Sequence, residues 1–147
     1  MNNIIFIDAP SGAGKSKYIT RKLKEYERDG LRTLYLSGRE MVDMMILGAN
    51  ILKEGGTDTP LMSFELEYDV VAVDDVDLSF GGVCYIKEDP FGGSGCFDGQ
   101  LVEFALNMAN KGKTVILSGI NLKQRMPGIC KLLNPVSKWL DITELSK

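Results

Sequence analysis

Short apolar runs alternate with amphipathic stretches along most of the chain. Strands are predicted where apolar residues are nearly continuous, at residues 4–7, 32–37, 69–75, 113–119 and 138–142. Helices are predicted where apolar residues recur every three or four positions, at residues 17–28, 38–52, 61–67 and 100–110. Strands that alternate with helices indicate an α/β protein, with a parallel sheet covered by helices on both faces.

Polar residues mark where several of these elements begin. Ser37 and Glu40 have the spacing of a capping box and open the second helix, and Asp98 is expected to cap the helix at 100–110. Residues 79–99 hold six of the sixteen glycines and show no periodicity, which predicts a long, mobile loop.

Length and composition narrow the class of protein. A chain of 147 residues with 44% hydrophobic content predicts a single domain, residues 1–147, with a real core. No apolar run approaches the roughly 18 residues that span a membrane, and no basic flank precedes the first apolar stretch, so neither a membrane segment nor a secretion signal is expected. Three cysteines without a CxxC pair favour a reducing, cytoplasmic location, and the lack of histidine argues against zinc.

The charge balance bears on partners. A net charge of −3 gives the surface as a whole no electrostatic reason to bind nucleic acid, because such binding depends on Lys and Arg neutralising phosphates. Direct DNA contact is therefore not expected from composition, although the composition does not exclude a local basic face.

The stretch FIDAPSGAGKS (6–16) has the pattern of a phosphate-binding loop between a strand and a helix. Residues 9–16 fit the P-loop spacing, with Ala9 in place of the usual first glycine. Gly12 and Gly14 allow backbone N–H groups to approach an anion, and the following helix points its unpaired N–H groups at the same place. Lys15 can reach phosphate oxygens, and the Ser16 hydroxyl can bind Mg²⁺. The expected ligand is ATP with Mg²⁺, and the candidate nucleotide-binding residues are Ala9, Pro10, Ser11, Gly12, Ala13, Gly14, Lys15, Ser16 and Lys17.

Two further strand ends carry polar residues. The third strand ends in Asp74 and Asp75, at the edge where parallel sheets bind ligands. Asp74 is the candidate magnesium ligand opposite Ser16, and Asp75 could orient or activate water. The fourth strand ends at Ser118, with Asn121 three residues later, and either side chain could contact the γ-phosphate or the attacking water. A solvated turn at the acidic residues, and helix caps at Ser118 and Asn121, are the alternatives.

Three stretches, TLYLSGREMVDMM, YDVVAVDDVD and GKTVILSGINLKQRMPGI, together with the P-loop resemble the ATPase core of the bacterial replication-initiator (DnaA) family and its AAA+ relatives, which include helicase loaders. The resemblance covers residues 4–142. It implies a P-loop NTPase three-layer sandwich with a five-stranded parallel sheet in the order 5-1-4-3-2, and assemblies whose neighbouring subunits complete one another's sites. By matching positions it implies that Asp75 is the catalytic acid and that Ser118 or Asn121 is the sensor.

The sequence also departs from that family. The given sequence begins at the first strand, without the family's adenine-side segment, and ends at Lys147, before the place of the helical lid. Residues 130–142 contain no arginine where the family has the one that enters a neighbour's site. An arginine finger is worth about 10³ to 10⁵ in rate, so weak or partner-dependent ATPase activity is expected. Arg125 could serve a partner's site or be a surface charge.

Two other functions stay open. A small P-loop kinase that phosphorylates a metabolite would also suit the motif and the length, although kinases usually place arginines over the transferred phosphate and residues 79–99 contain none. A non-catalytic adaptor could keep the fold and bind a protein through it. The expected partners besides the nucleotide are a replication or helicase component, or a second copy of the chain.

Overall fold

Five parallel strands form one sheet in a computed structural model that describes residues 3–82, 97–140 and 145. The strands are β1 (Ile4–Asp8), β2 (Thr33–Ser37), β3 (Val70–Asp74), β4 (Thr114–Gly119) and β5 (Ser137–Leu140). Their spatial order is β2-β3-β4-β1-β5, and every neighbouring pair is parallel. This order is 5-1-4-3-2, so the predicted P-loop NTPase sandwich is confirmed.

Helices cover both faces of this sheet. The helices are α1 (Lys15–Arg28), α2 (Gly38–Lys53), α3 (Pro60–Glu67), α4 (Phe97–Asn110), α5 (Leu122–Arg125) and α6 (Pro127–Leu133). Among the described helices, α1 alone packs on one face, through Ile19 and Leu23, and the others pack on the opposite face. None of the helices in the described part is both long and apolar enough to cross a lipid bilayer.

Alternation along β3 decides which polar residues meet α1. Val71 and Val73 point into the larger core beneath α2 and α4, whereas Val70 and Ala72 point into the core beneath α1. Because successive side chains of a strand face opposite ways, Asp74 belongs to the second set. The carboxylate at the end of β3 therefore lies on the same face of the sheet as α1.

The start of α4 differs from the prediction. The helix begins at Phe97, so Asp98 lies inside its first turn and does not precede the helix. Its carboxylate instead accepts a hydrogen bond of 2.9 Å from the N–H of Gly81, far away in sequence. The predicted cap was wrong because α4 begins before Asp98 and not at residue 100. Most of the predicted loop, residues 83–96 with Cys84 and Cys96, lies outside the described residues.

The predicted capping box is confirmed. The Glu40 N–H donates to Ser37 Oγ at 3.0 Å, and the Ser37 N–H donates to Glu40 Oε1 at 2.9 Å. The box starts α2 immediately after β2, which brings Gly38 against the turn that follows β3: a Cβ at Gly38 would lie 2.9 Å from the Asp75 carbonyl oxygen. Only glycine permits this close approach, which fixes the acidic turn next to α2.

Candidate nucleotide site

The glycine-rich turn follows β1 directly and leads into α1. Gly12 and Gly14 have φ of +83° and +97°, a left-handed conformation that glycine adopts without steric cost. A Cβ at either position would meet no atom within 4 Å, so backbone conformation and not space requires glycine. The turn closes through a hydrogen bond of 3.2 Å from the Ala13 N–H to the Pro10 carbonyl. This conformation turns the chain sharply at the N-terminus of α1, where unpaired N–H groups favour anions.

Lys15 lies inside this turn. Its side chain is buried, and its ammonium donates to the carbonyls of Ala9 at 2.6 Å and Pro10 at 3.1 Å. The positive charge is therefore held within the concavity of the turn and does not extend into solvent. The other predicted loop residues lie around it, with Ala9 buried and Pro10, Ser11 and Lys17 exposed.

The carboxylate of Asp74 is the centre of a hydrogen-bonded cluster. It is only 3% exposed. One oxygen, Oδ2, accepts from the hydroxyls of Ser16 and Tyr35, each at 2.5 Å. The other, Oδ1, accepts from the Ser118 hydroxyl and from the N–H of Asp75. Four donors from α1, β2, β4 and the turn after β3 therefore converge on one carboxylate, which we call the Asp74 cluster.

The cluster keeps Asp74 ionised. Burial alone would raise the pKa of its carboxyl, but the hydrogen bonds from Ser118, Ser16, Tyr35 and the Asp75 amide outweigh burial and hold the pKa below its usual range. Burial and the bond to Asp74 raise the pKa of Tyr35 to about 12, so its phenol remains a neutral donor. An anionic acceptor surrounded by neutral hydroxyl donors is the result.

Tyr35 was missed from the sequence. In TLYLS, Leu34 and Leu36 face the core beneath α2, so Tyr35 and Ser37 face the side of α1. In the register of β2 and β3, Ser37 lies opposite Asp74, and the long tyrosine side chain reaches from two residues earlier. Alternation together with the order of the strands could have found this contact.

Asp75 is exposed and has a strained backbone. Its φ of 54° and ψ of 42° are left-handed, which costs a non-glycine residue about 1 kcal/mol or more. Partial burial and repulsion from Asp74 and Asp77 raise the pKa of its carboxyl, and attraction from Lys15 partly opposes this. The carboxylate therefore lies within electrostatic reach of both the P-loop lysine and the Asp74 cluster.

The two residues predicted at the end of β4 have different positions, because Ser118 lies within the strand and Asn121 follows it. Ser118 is fully buried and donates to Asp74, so it joins the cluster. Asn121 is exposed, adopts φ of 53°, and donates its N–H to Asp8 Oδ1 at 2.9 Å. The Ser118 side chain therefore lies at the site. Asn121 lies at the start of α5, where its backbone N–H is bound to Asp8.

Asp77 and Arg125 form a separate pair nearby. The guanidinium donates to Asp77 Oδ2 at 2.6 Å, and the Asp77 side chain is 2% exposed against 47% for Arg125. The Ile120 N–H donates to the other oxygen of Asp77 at 3.2 Å. Arg125 is thus bound to a carboxylate of its own chain.

Ser16 and Asp74 fit a magnesium site by their chemistry. Their hydroxyl and carboxylate oxygens are hard ligands, and their contact at 2.5 Å places them side by side below the turn that holds Lys15. No group of three or more His, Cys, Asp or Glu suited to a metal occurs in the described ranges. Mg²⁺ does not need one, because it typically uses one or two protein oxygens together with phosphates and water.

A second concave region has different chemistry. A cavity of about 280 Å³ lies between α2, α3 and α4, on the opposite side of the sheet from α1. Its lining is mainly apolar, and one of its two carboxylates, Glu65, is paired with Lys111 at 3.3 Å. It has no glycine-rich turn and no buried lysine, so the P-loop region is the candidate site.

Several solved structures share this architecture. DnaA from Aquifex aeolicus, bound to AMPPCP, aligns with 94% of this chain at a TM-score of 0.66 and 18% identity. Domain III of the replication initiation protein DnaA from Thermotoga maritima aligns with 98% at 0.60 and 19% identity, and the DnaC helicase loader with 93% at 0.59 and 18%. The chain has the fold of a DnaA-like AAA+ core.

The likeness concerns the fold. The alignments cover 39% of the Aquifex DnaA chain, 51% of the Thermotoga domain and 76% of DnaC. No protein-family model matches the sequence, and no curated protein is similar to it at the sequence level. In this DnaA-like fold, the Gly-rich turn and the Asp74 cluster lie at the carboxyl ends of β1, β3 and β4, where open parallel sheets bind their ligands.

Proposed function

We propose that the chain is a cytoplasmic P-loop NTPase that binds ATP with Mg²⁺ and acts in DNA replication or helicase loading, with hydrolysis that is slow or depends on a partner. The observation that carries this proposal is the hydrogen bond between Ser16 and Asp74, directly below the turn that holds Lys15. A strand-to-helix turn that is merely rich in glycine does not require a buried lysine and a buried, ionised carboxylate beside it.

Each residue of the site has a proposed role. The N–H groups of the turn and the Lys15 ammonium bind the phosphates, and Ser16 and Asp74 hold Mg²⁺. When bound, Mg²⁺ neutralises negative charge that develops on the phosphates. Asp75 orients the attacking water from its exposed position, and Ser118 fixes the orientation of Asp74 through its second oxygen.

The positions of the arginines support the proposal of slow hydrolysis. Arg125 is held by Asp77 within the same chain, and residues 130–142 contain no arginine. In the described part of the chain, the cation held within the turn is Lys15, without the arginine that is worth about 10³ to 10⁵ in rate in related phosphoryl transfers. A partner protein or a second copy of the chain would have to supply this charge for rapid turnover.

The replication assignment depends on the fold neighbours. One of them is a replication initiator, DnaA, bound to AMPPCP and single-stranded DNA, and another is a helicase loader, DnaC. We therefore propose a replication or helicase component as the protein partner. Self-association is the alternative, because the resemblance implies sites completed between subunits.

Nucleotide binding is tested by calorimetry of ATP and ADP with and without Mg²⁺. We expect Lys15→Ala to weaken binding of both nucleotides by at least about tenfold, because a charge-assisted contact to phosphate is lost. Lys22→Ala is the matched control, since Lys22 is a partly exposed lysine of the same helix, paired with Glu25 at 3.2 Å. Unchanged ATP affinity in Lys15→Ala would contradict the proposed site.

Hydrolysis is tested by phosphate release over hours. We expect Asp75→Asn to abolish slow turnover and to leave ATP binding intact, because Asp75 is proposed to act on water and not on the bound nucleotide. Equal rates in the wild type and the variant, with ATP bound, would favour the adaptor. Label transferred from ATP to a metabolite, in place of free phosphate, would favour the kinase.

A further inference from the structure

The exposed face of α1 carries a line of basic side chains. Lys17, Arg21, Lys24 and Arg28 follow one another at intervals of four, three and four residues, which places them along one face of the helix. All four are exposed, and they lie opposite Ile19 and Leu23, the residues that pack on the sheet. We call these four residues the α1 stripe.

The charge of α1 contrasts with that of the whole chain. The helix contains six basic and two acidic residues, a net charge of +4, in a chain whose net charge is −3. Its two acids are engaged away from the stripe: Glu25 pairs with Lys22 at 3.2 Å, and Glu27 accepts from Thr33 Oγ1 at 2.6 Å. Within residues 3–82 and 97–140, no stripe residue forms an ion pair. Four cations are therefore left without a carboxylate partner in the described part of the chain.

This arrangement is unfavourable for the isolated helix. Like charges four residues apart, as at Lys17 and Arg21 and at Lys24 and Arg28, repel each other. The first turn contains Lys15 and Lys17 and no acidic residue, although the positive end of the helix dipole favours acids there. An ordinary solvated helix face mixes both signs and avoids these repulsions. A bound polyanion removes both of them.

The stripe begins at the candidate nucleotide site. Its first three residues line a shallow cleft of about 390 Å³ together with Ser16 and Thr20. From Lys17 to Arg28 the stripe extends about 16 Å, in steps of about 4.5 to 6 Å along the axis. Of the stripe residues, only Lys17 belongs to the candidate nucleotide-binding loop, so the other three charges point to a longer ligand.

We propose that the α1 stripe binds the phosphate backbone of single-stranded nucleic acid beside the nucleotide site. A flexible single strand can follow one straight row of cations, whereas the two backbones of a duplex are fixed around its grooves. The guanidinium of Arg21 lies 5.4 Å from the centre of the Tyr18 ring, and because Arg21 is exposed its planar group is also accessible for stacking on a base. An acidic protein segment has no nucleobase that could stack on the Arg21 guanidinium. The proposal depends on the charges of α1 and does not require ATP binding.

The test measures fluorescence anisotropy of a labelled oligothymidylate of about 20 nucleotides, over a series of salt concentrations. Four phosphate contacts predict that log K falls with log salt with a slope of about −2.8. Arg21→Gln, Lys24→Gln and Arg28→Gln should each make the slope shallower by about 0.7, and the triple variant by about 2.1. Lys22→Gln is the matched control: it removes the same charge from the same helix outside the stripe, and its slope should equal that of the wild type.

Four results would overturn the proposal. The first is salt-independent binding or no binding at low salt, and the second is a loss with Lys22→Gln equal to that with Lys24→Gln. A duplex of equal length that binds as tightly would reject the single-strand assignment, and a polyglutamate of equal charge that competes equally well would indicate an acidic protein ligand. ATP affinity measured on the triple variant separates this test from that of the proposed NTPase: unchanged ATP binding with lost oligonucleotide binding is the expected result.

Discussion

Asp74 and Asp77 lie three residues apart, and both side chains are almost completely buried, yet they are satisfied in different ways. Asp74 accepts hydrogen bonds from three hydroxyls and one amide. Asp77 accepts from the charged guanidinium of Arg125 and from the Ile120 amide. One carboxylate keeps a full negative charge among neutral donors, and the other has its charge compensated within the fold.

This difference indicates separate roles for the two carboxylates, with Asp74 available for ligand binding and Asp77 used to hold the fold together. Neutral hydroxyls leave the charge of Asp74 available to a cation, and they are themselves ligands that Mg²⁺ accepts. A guanidinium already neutralises Asp77, which fixes the segment after β4 to the turn after β3. We therefore expect substitutions at Asp74 to change ligand binding and substitutions at Asp77 to change stability.

The largest expected effect is on magnesium-dependent nucleotide binding. Asp74→Asn removes the anion and presents an amide to donors that need an acceptor, so the gain in ATP affinity on adding Mg²⁺ should fall by about 10- to 100-fold. Asp77→Asn should leave that gain within about twofold of the wild type, because Asp77 is neutralised by Arg125. Calorimetry with and without Mg²⁺ measures both.

Folding provides the control for this comparison. If Asp74→Asn unfolds the chain, Ser16→Ala is the alternative, because it removes the other proposed magnesium ligand, a hydroxyl at the surface of α1. It should show the same loss of Mg²⁺ dependence. Equal Mg²⁺ dependence in the wild type, Asp74→Asn and Ser16→Ala would contradict the assignment of the metal site.

A smaller effect is expected on the free energy of unfolding at the Asp77–Arg125 pair. Asp77→Asn and Arg125→Gln should each cost about 1 to 2 kcal/mol, a discounted value because Arg125 is 47% exposed. The double variant should lose about 1 kcal/mol less than the sum of the single losses. Urea unfolding of the four proteins measures this coupling. Additive losses would mean that Arg125 is not bound to Asp77 in solution and is available to a neighbouring subunit.

The smallest effect is expected at Tyr35. Tyr35→Phe removes one of four donors to Asp74 from a side chain that is 40% exposed, so the loss of stability should be about 0.5 to 1 kcal/mol. Tyr26→Phe, on the buried side of α1, removes a hydroxyl outside the Asp74 cluster and should be nearly neutral. Thermal unfolding compares the two variants, and an equal loss in both would show that the Tyr35 hydroxyl contributes nothing specific to Asp74.

Local signals were sufficient for part of the site. The glycines, Lys15 and Ser16 lie within one short stretch, and Asp74 ends a strand whose apolar run is unmistakable, so spacing and the end of a strand identify them. Ser118 followed from the same logic at the next strand end, and the structure places it against Asp74. The role of each in binding or catalysis stays a prediction.

Contacts between elements that are distant in sequence were not predicted. Tyr35 reaches Asp74 only because β2 is the neighbour of β3, and Arg125 meets Asp77 because α5 returns over the acidic turn. The helices after β4 were not predicted, since four and seven residues are too few to establish a helical period. The burial and pairing that decide such short elements are set by the whole sheet and not by their own residues.

One tie across the sheet has a mechanical consequence. Asp8, the last residue of β1, accepts the N–H groups of Asn121 at 2.9 Å and Leu122 at 3.0 Å, and the Ala9 N–H donates to the Gly119 carbonyl at 3.2 Å. These hydrogen bonds connect the end of β1 and Ala9, the first residue of the glycine-rich turn, to the segment that starts α5. Because these three hydrogen bonds join the two segments, we expect a displacement of Ala9 to move the start of α5 with it.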